Sequence, residues 1–154
     1  MNTGRPLIDV MKIADQTIDE TLSAASENIH AAEAYLQELM IAARAIEKAG
    51  MYPSVPSEQW QTREGSGQYL YMLFKTDRNG NYQGPDGARK IYVGNKQDKI
   101  DDARRLVQNR ERYEGITRCI EDLTSYLRRQ KFNVQRLQID TADYPRTTCA
   151  LGPA

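Results

Sequence analysis

The chain is poor in the residues that most catalytic and metal sites need. In 154 residues there is one histidine, two cysteines, one tryptophan and two phenylalanines. His30 stands between Ile29 and Ala31 in a helical pattern and reads as a helix-surface residue rather than a base. Cys119 and Cys149 are too far apart for metal-ligand spacing, and as free thiols they fit a reducing cytoplasm. No serine or cysteine carries a nucleophile motif around it. The Gly65-Ser66-Gly67 run precedes a strand pattern and does not open a helix, so it is no phosphate-cradling loop. No apolar run is long enough to cross a membrane, and the first twelve residues lack the apolar core of a signal peptide. The expectation is a soluble, cytoplasmic, non-enzymatic protein without cofactor or metal.

Apolar residues are also few. Their 40% share is low for a compact globule and ordinary for long amphipathic helices. A single elongated domain over residues 1–154 is expected, with a thin core that a second copy completes. The net charge is zero but uneven. Residues 1–57 carry four basic and eight acidic side chains, and residues 58–154 carry seventeen and thirteen. The second half therefore suits an anionic partner, or packs on the acidic first half.

What the chain has in quantity is helical periodicity. From Met11 through Ala14, Ile18, Leu22, Ala25, Ile29, Ala32, Leu36, Leu39 and Ala43 to Ile46, apolar residues recur in steps of three and four, with one stutter at Leu22. This predicts a helix over 6–49, opened by Pro6 and stopped by Gly50 and Pro53. At ~1.5 Å per residue it would be a rod of roughly 65 Å. Residues 50–67 hold two prolines and end in Gly-Ser-Gly, which reads as a linker, with Trp60 covering a hairpin base or helix end. A second stripe runs from Ile100 and Ala103 through Leu106, Tyr113, Ile116, Ile120, Leu123, Leu127 and Val134 to Leu137, predicting a helix over 96–137. Asn95 is placed to cap it, Asn109 and Gln130 fall on its seam, and Gly115 interrupts it. An irregular tail, 138–154, follows. The two helices carry opposite net charge, which suits an antiparallel, coiled-coil-like pair and a homodimeric four-helix bundle.

Between them lies the one β signal, a hairpin over 68–94 with strands near 68–75 and 88–94. The fold class is thus mainly α, with two long antiparallel coiled-coil-like helices and an inserted β-hairpin. Alternation puts Leu70, Met72, Phe74, Ile91 and Val93 on a side that packs against the helices. The other side carries Tyr69, Tyr71, Lys75, Lys90 and Tyr92. In the connection, Asp77, Asn79 and Asn81 mimic the start of a calcium loop. Tyr82 and Ala88 then occupy the positions that need Gly and Glu, so a turn is expected.

Tyrosines on a sheet bordered by lysines can stack on bases while ammonium groups meet phosphates, and a two-stranded ribbon fits the major groove. Arg78 and Arg89 near the tip add cations. Arg128, Arg129 and Lys131 form an acid-free basic run at the end of the second helix, which reads as a solvated face, a partner for the acidic first helix, or a track for a phosphate backbone. The expected partner is nucleic acid, DNA first, contacted by Tyr69, Tyr71, Lys75, Arg78, Arg89, Lys90, Tyr92, Arg128, Arg129 and Lys131. The competing expectation is an adaptor that assembles with other proteins through its helical seams and hairpin.

Residues 67–116 carry aromatic alternation at Tyr69 and Tyr71, a basic return strand with Arg89, Tyr92, Val93 and Gly94, and then Arg104, Arg105, Leu106 and Asn109. This passage resembles a hairpin-plus-helix module of uncharacterised proteins from bacterial mobile elements. The resemblance implies a DNA-associated accessory role and no catalytic residue.

Overall fold

The computed structural model describes residues 7–142. The helix start expected at Pro6, Cys149, and the tail beyond residue 142 lie outside the described residues. In chain order the elements are helix α1 (Leu7–Ala49), strands β1 (Ser57–Arg63) and β2 (Gly67–Leu73), a short 3-10 turn (Pro85–Gly87), strand β3 (Lys90–Gly94) and helix α2 (Gln97–Ala142). The protein is mainly helical, with a small antiparallel sheet between two helices of 43 and 46 residues.

The strands β2 and β3 are shorter than the expected 68–75 and 88–94, and two further segments differ from expectation. Residues 138–142 continue α2, because Gln-Ile-Asp-Thr-Ala contains no glycine or proline to stop it. The 50–67 segment is not all linker: Ser57–Arg63 adds a third strand, so the inserted element is a sheet of order β1-β2-β3 and not a two-stranded hairpin. The β1–β2 connection explains why the glycines are there. Ser66 N–H donates to the Arg63 carbonyl at 3.2 Å, and Gly65 and Gly67 hold φ of 79° and 84°, values that L side chains resist.

The chain forms two compact units, one over Glu38–Ile120 and the other from the segments flanking it. In the first, the core is small and built on β2. Leu70 and Met72 are fully buried and meet Ile100 and Ala103 of α2, with Ile91, Val93, Leu106 and Val107 partly covered around them. Burial of each large side chain contributes about 1.5–3 kcal/mol. Tyr52 closes one end by packing edge-to-face on Phe74, centroids 5.4 Å apart. Burial raises the Tyr52 hydroxyl above its ordinary pKa, with Asp102 adding to the effect. On the same side of the sheet, Glu58 of β1 takes a two-pronged bond from Arg104 of α2, at 2.8 and 3.1 Å.

The end of α1 is tied to α2 by polar groups. Gly50, at φ 94°, donates its N–H to the Ile46 carbonyl at 3.0 Å and turns the chain out of the helix. Asn109 Nδ2 donates to the Gly50 carbonyl at 2.8 Å, and the Tyr113 hydroxyl donates to Glu47 Oε1 at 2.8 Å. The seam asparagine thus serves a carbonyl just past a helix end. Residue numbers fall along α1 as they rise along α2, so the two segments run antiparallel here. At the start of α2 it is the Lys96 carbonyl, one residue after Asn95, that accepts the first helical bond, from Ile100. Gly115 lies within continuous helix, and a Cβ there would meet nothing within 4 Å.

In the other unit, Lys131 Nζ lies 2.7 Å from Glu33 Oε1 and links the two helical segments. The lysine's hydrogen bond, then its charge, holds the Glu33 carboxyl below its ordinary range. Leu127 is the one buried side chain among the described residues of this unit. The expected seam residues Ile18, Leu22, Ile29, Leu36, Leu123, Val134 and Leu137 are half-buried. Tyr35, Phe132 and Ile139 are exposed.

Candidate nucleic-acid interface

Strand register decides which side chains share the open side of the sheet. Tyr71 stands opposite Gln59 on β1 and opposite Tyr92 on β3. Two-residue alternation then gives this side Ser57, Gln59, Gln61 and Arg63 from β1, Tyr69, Tyr71 and Leu73 from β2, and Lys90 and Tyr92 from β3. No carboxylate occurs at any of these positions. Glu58, the acid of β1, points to the other side and is held by Arg104, whose hydrogen bond lowers the Glu58 pKa.

The three tyrosines form one cluster with two cations. Tyr92 lies 5.2 Å from Tyr71, edge-to-face, and 6.0 Å from Tyr69, tilted by 32°. Lys90 Nζ sits 3.9 Å above the centre of the Tyr71 ring. The Arg63 guanidinium lies 5.3 Å from the Tyr69 centroid and 5.9 Å from that of Tyr92. Its Nη2 also donates to the Tyr71 hydroxyl at 3.0 Å. Among the described residues neither Arg63 nor Lys90 has an acidic partner.

A bulge shapes the exposed end of the cluster. Leu70 pairs with Gly94 and Tyr71 with Tyr92, which leaves Val93 unopposed. Gly94 has φ 99°, and a Cβ there would lie 3.4–3.6 Å from the Tyr92 ring. The ring therefore lies back along its own strand, yet Tyr92 remains 53% exposed.

The structure brings together part of the expected set. Tyr69, Lys90 and Tyr92 share the open side. Tyr71 is there too, but it is a correction to the expectation of an exposed contact residue. Only 8% of it is exposed, because Tyr92, Lys90 and Arg63 cover it. Lys75 is exposed just past Phe74. Arg89 lies over the Tyr82 ring at 5.8 Å, and Arg78 is exposed in the turn beyond the Thr76–Tyr82 bridge. That turn is organised by Asp77, whose Oδ1 accepts the N–H of Asn79 at 2.8 Å and of Asn81 at 3.0 Å. Arg128 and Arg129 are exposed on α2 in the other unit, where Lys131 is engaged by Glu33.

Arg63 is the residue that sequence reasoning missed. Ser57–Arg63 is polar throughout except for Trp60 and buries no residue, so no alternation marks the strand that carries it. Trp60 pairs with Leu70 on the edge strand and is 43% exposed. Among the described residues no three His, Cys, Asp or Glu side chains form a metal-binding group, and no helix is long and apolar enough to cross a membrane. His30 Nδ1 lies 3.8 Å from Glu33 on an exposed helix surface. Comparison of the chain with protein-family models, curated proteins and solved structures gives no match.

Proposed function

We propose that this is a non-enzymatic nucleic-acid-binding accessory protein that acts as a homodimer and meets nucleic acid with the open side of its sheet. The observation that carries the reading is a sheet side with no carboxylate in its strands, on which three tyrosines are held with two cations, Arg63 and Lys90, that lack acidic partners among the described residues. Exposed aromatic faces take bases, and cations without acidic partners take phosphates. Lys75, Arg78 and Arg89, in the connection between β2 and β3, add positive charge. The resemblance of residues 67–116 to a mobile-element module favours DNA as the nucleic acid. The test is a mobility-shift titration at low salt with micromolar protein. Binding that weakens with a log–log salt slope steeper than about −1.5 supports the reading, and no shift of any probe refutes it.

The dimer draws on the helical stripes of the flanking unit. Their half-buried residues fit a coiled-coil-like seam completed by a second copy. Residues 7–37 carry six acids and one base, and residues 121–142 carry four bases and three acids, so a two-fold pairing sets unlike charges together. Solution mass at twice that of the chain supports this; a monomer at micromolar concentration refutes it. The exposure of Tyr35 and Phe132 favours a second reading, an adaptor that binds protein only. That reading gains if probes fail to bind while a complex survives nuclease treatment.

A further inference from the structure

We infer that the open side of the sheet takes single-stranded nucleic acid in preference to duplex, with a base laid on Tyr92 and the neighbouring phosphate held by Arg63 and Lys90. This inference rests on the nucleic-acid reading above and deepens it. Three observations carry it.

The first is width. A two-stranded ribbon enters a major groove about 12 Å wide. Here β1 pairs along the whole of β2, from Ser57–Leu73 to Arg63–Gly67, so the surface is three strands across beside the tyrosines. Strands about 4.8 Å apart put the outer axes roughly 10 Å from each other before the edge backbones and side chains are added. A surface that wide lies across a groove instead of entering it. Unstacked bases on a free strand have no such restriction.

The second is the state of the aromatic ring. In a duplex the base faces are hidden by stacking, and only a single strand offers them to a protein ring. Tyr92 is half exposed yet fixed: it rests on Gly94, meets Tyr71 edge-to-face and lies tilted against Tyr69. A ring already held in place loses little freedom when a base stacks on it.

The third is the arrangement of charge. Arg63 and Lys90 reach the same residue, Tyr71, one at its hydroxyl and the other over its ring. The guanidinium uses one donor on that hydroxyl and has others to give, and the ammonium spends its charge on a ring face. An anion held by both is therefore next to Tyr92, as the phosphate of a stacked nucleotide must be.

The test is fluorescence anisotropy at low salt with a labelled 12-nucleotide DNA strand, the RNA of the same sequence, and the 12-base-pair DNA duplex. The inference expects either single strand to bind at least tenfold more tightly than the duplex, and the tighter of the two identifies the source. Tyr92→Ala lowers single-strand affinity about tenfold while Tyr92→Phe retains it, since stacking needs the ring and not the hydroxyl. Arg63→Gln and Lys90→Gln each flatten the salt slope by about 0.7. A duplex bound as tightly as the strands, or a Tyr92→Ala variant that binds the strand like wild type, overturns the inference and leaves the nucleic-acid reading standing. Failure of all three probes overturns both.

Discussion

Arg63, the last residue of the edge strand, donates from Nη2 to the hydroxyl of Tyr71 on the central strand at 3.0 Å. That bond ties the polar third strand to the aromatic cluster and places the guanidinium beside Tyr69 and Tyr92. Loss of the hydroxyl in Tyr71→Phe is expected to cost about 1 kcal/mol in urea unfolding. Tyr71→Ala, which empties a buried ring site, should cost about 3 kcal/mol or more. Equal effects of the two substitutions would show that the ring is not held as described.

Two glycines predict opposite outcomes for the same substitution. A Cβ on Gly84 would lie 2.0 Å from the Ala88 carbonyl oxygen and 2.8 Å from the Phe74 ring. Gly84→Ala must move backbone and should destabilise by at least about 2 kcal/mol. At Gly115, where a Cβ meets open space in mid-helix, Gly115→Ala should stabilise by up to about 1 kcal/mol. Thermal melts of both variants give the comparison directly.

Asn109→Ala removes the donor that serves the Gly50 carbonyl at the end of α1. A half-buried carbonyl left unpaired costs about 1–2 kcal/mol. Amide hydrogen exchange near residues 46–50 should quicken in this variant more than exchange in β2.

The Glu58–Arg104 pair sets an acid-side dependence. The folded Glu58 pKa lies below its ordinary value of 4.5, chiefly because Arg104 donates to its carboxylate. The pair's contribution is therefore fully present above about pH 4.5 and drains away as pH falls through the folded value. Both side chains are partly exposed, so solvent screens the pair and its contribution is small. Melting temperature followed from pH 7 to pH 3 should fall less in Glu58→Gln than in wild type.

Both helices and the apolar side of the sheet were legible in the sequence, because apolar spacing of three and four, or of two, survives folding directly. Leu70, Met72 and Ile100 are buried where that spacing puts them. β1 was not legible for the converse reason. Its strand, Ser-Glu-Gln-Trp-Gln-Thr-Arg, buries no residue, so no apolar alternation marks it, and Pro53 and Pro56 beside it read as linker. Arg63 was lost with the strand. The burial of Tyr71 depends on side chains brought from β1 and β3 at once, which no pattern within β2 reveals. Lys131 read as part of a basic run that faces solvent or meets the acidic first helix, and the acid it meets is Glu33, nearly a hundred residues earlier in the chain.

The most direct measurement is the affinity of wild type and of the Arg63→Gln, Lys90→Gln double variant for one labelled 12-nucleotide strand, across 50 to 200 mM salt as a working range. The account predicts at least tenfold weaker binding by the double variant at the low-salt end and a salt slope shallower by about 1.4. Identical curves for the two proteins would contradict it, because the strand would then be bound somewhere other than the tyrosine side of the sheet.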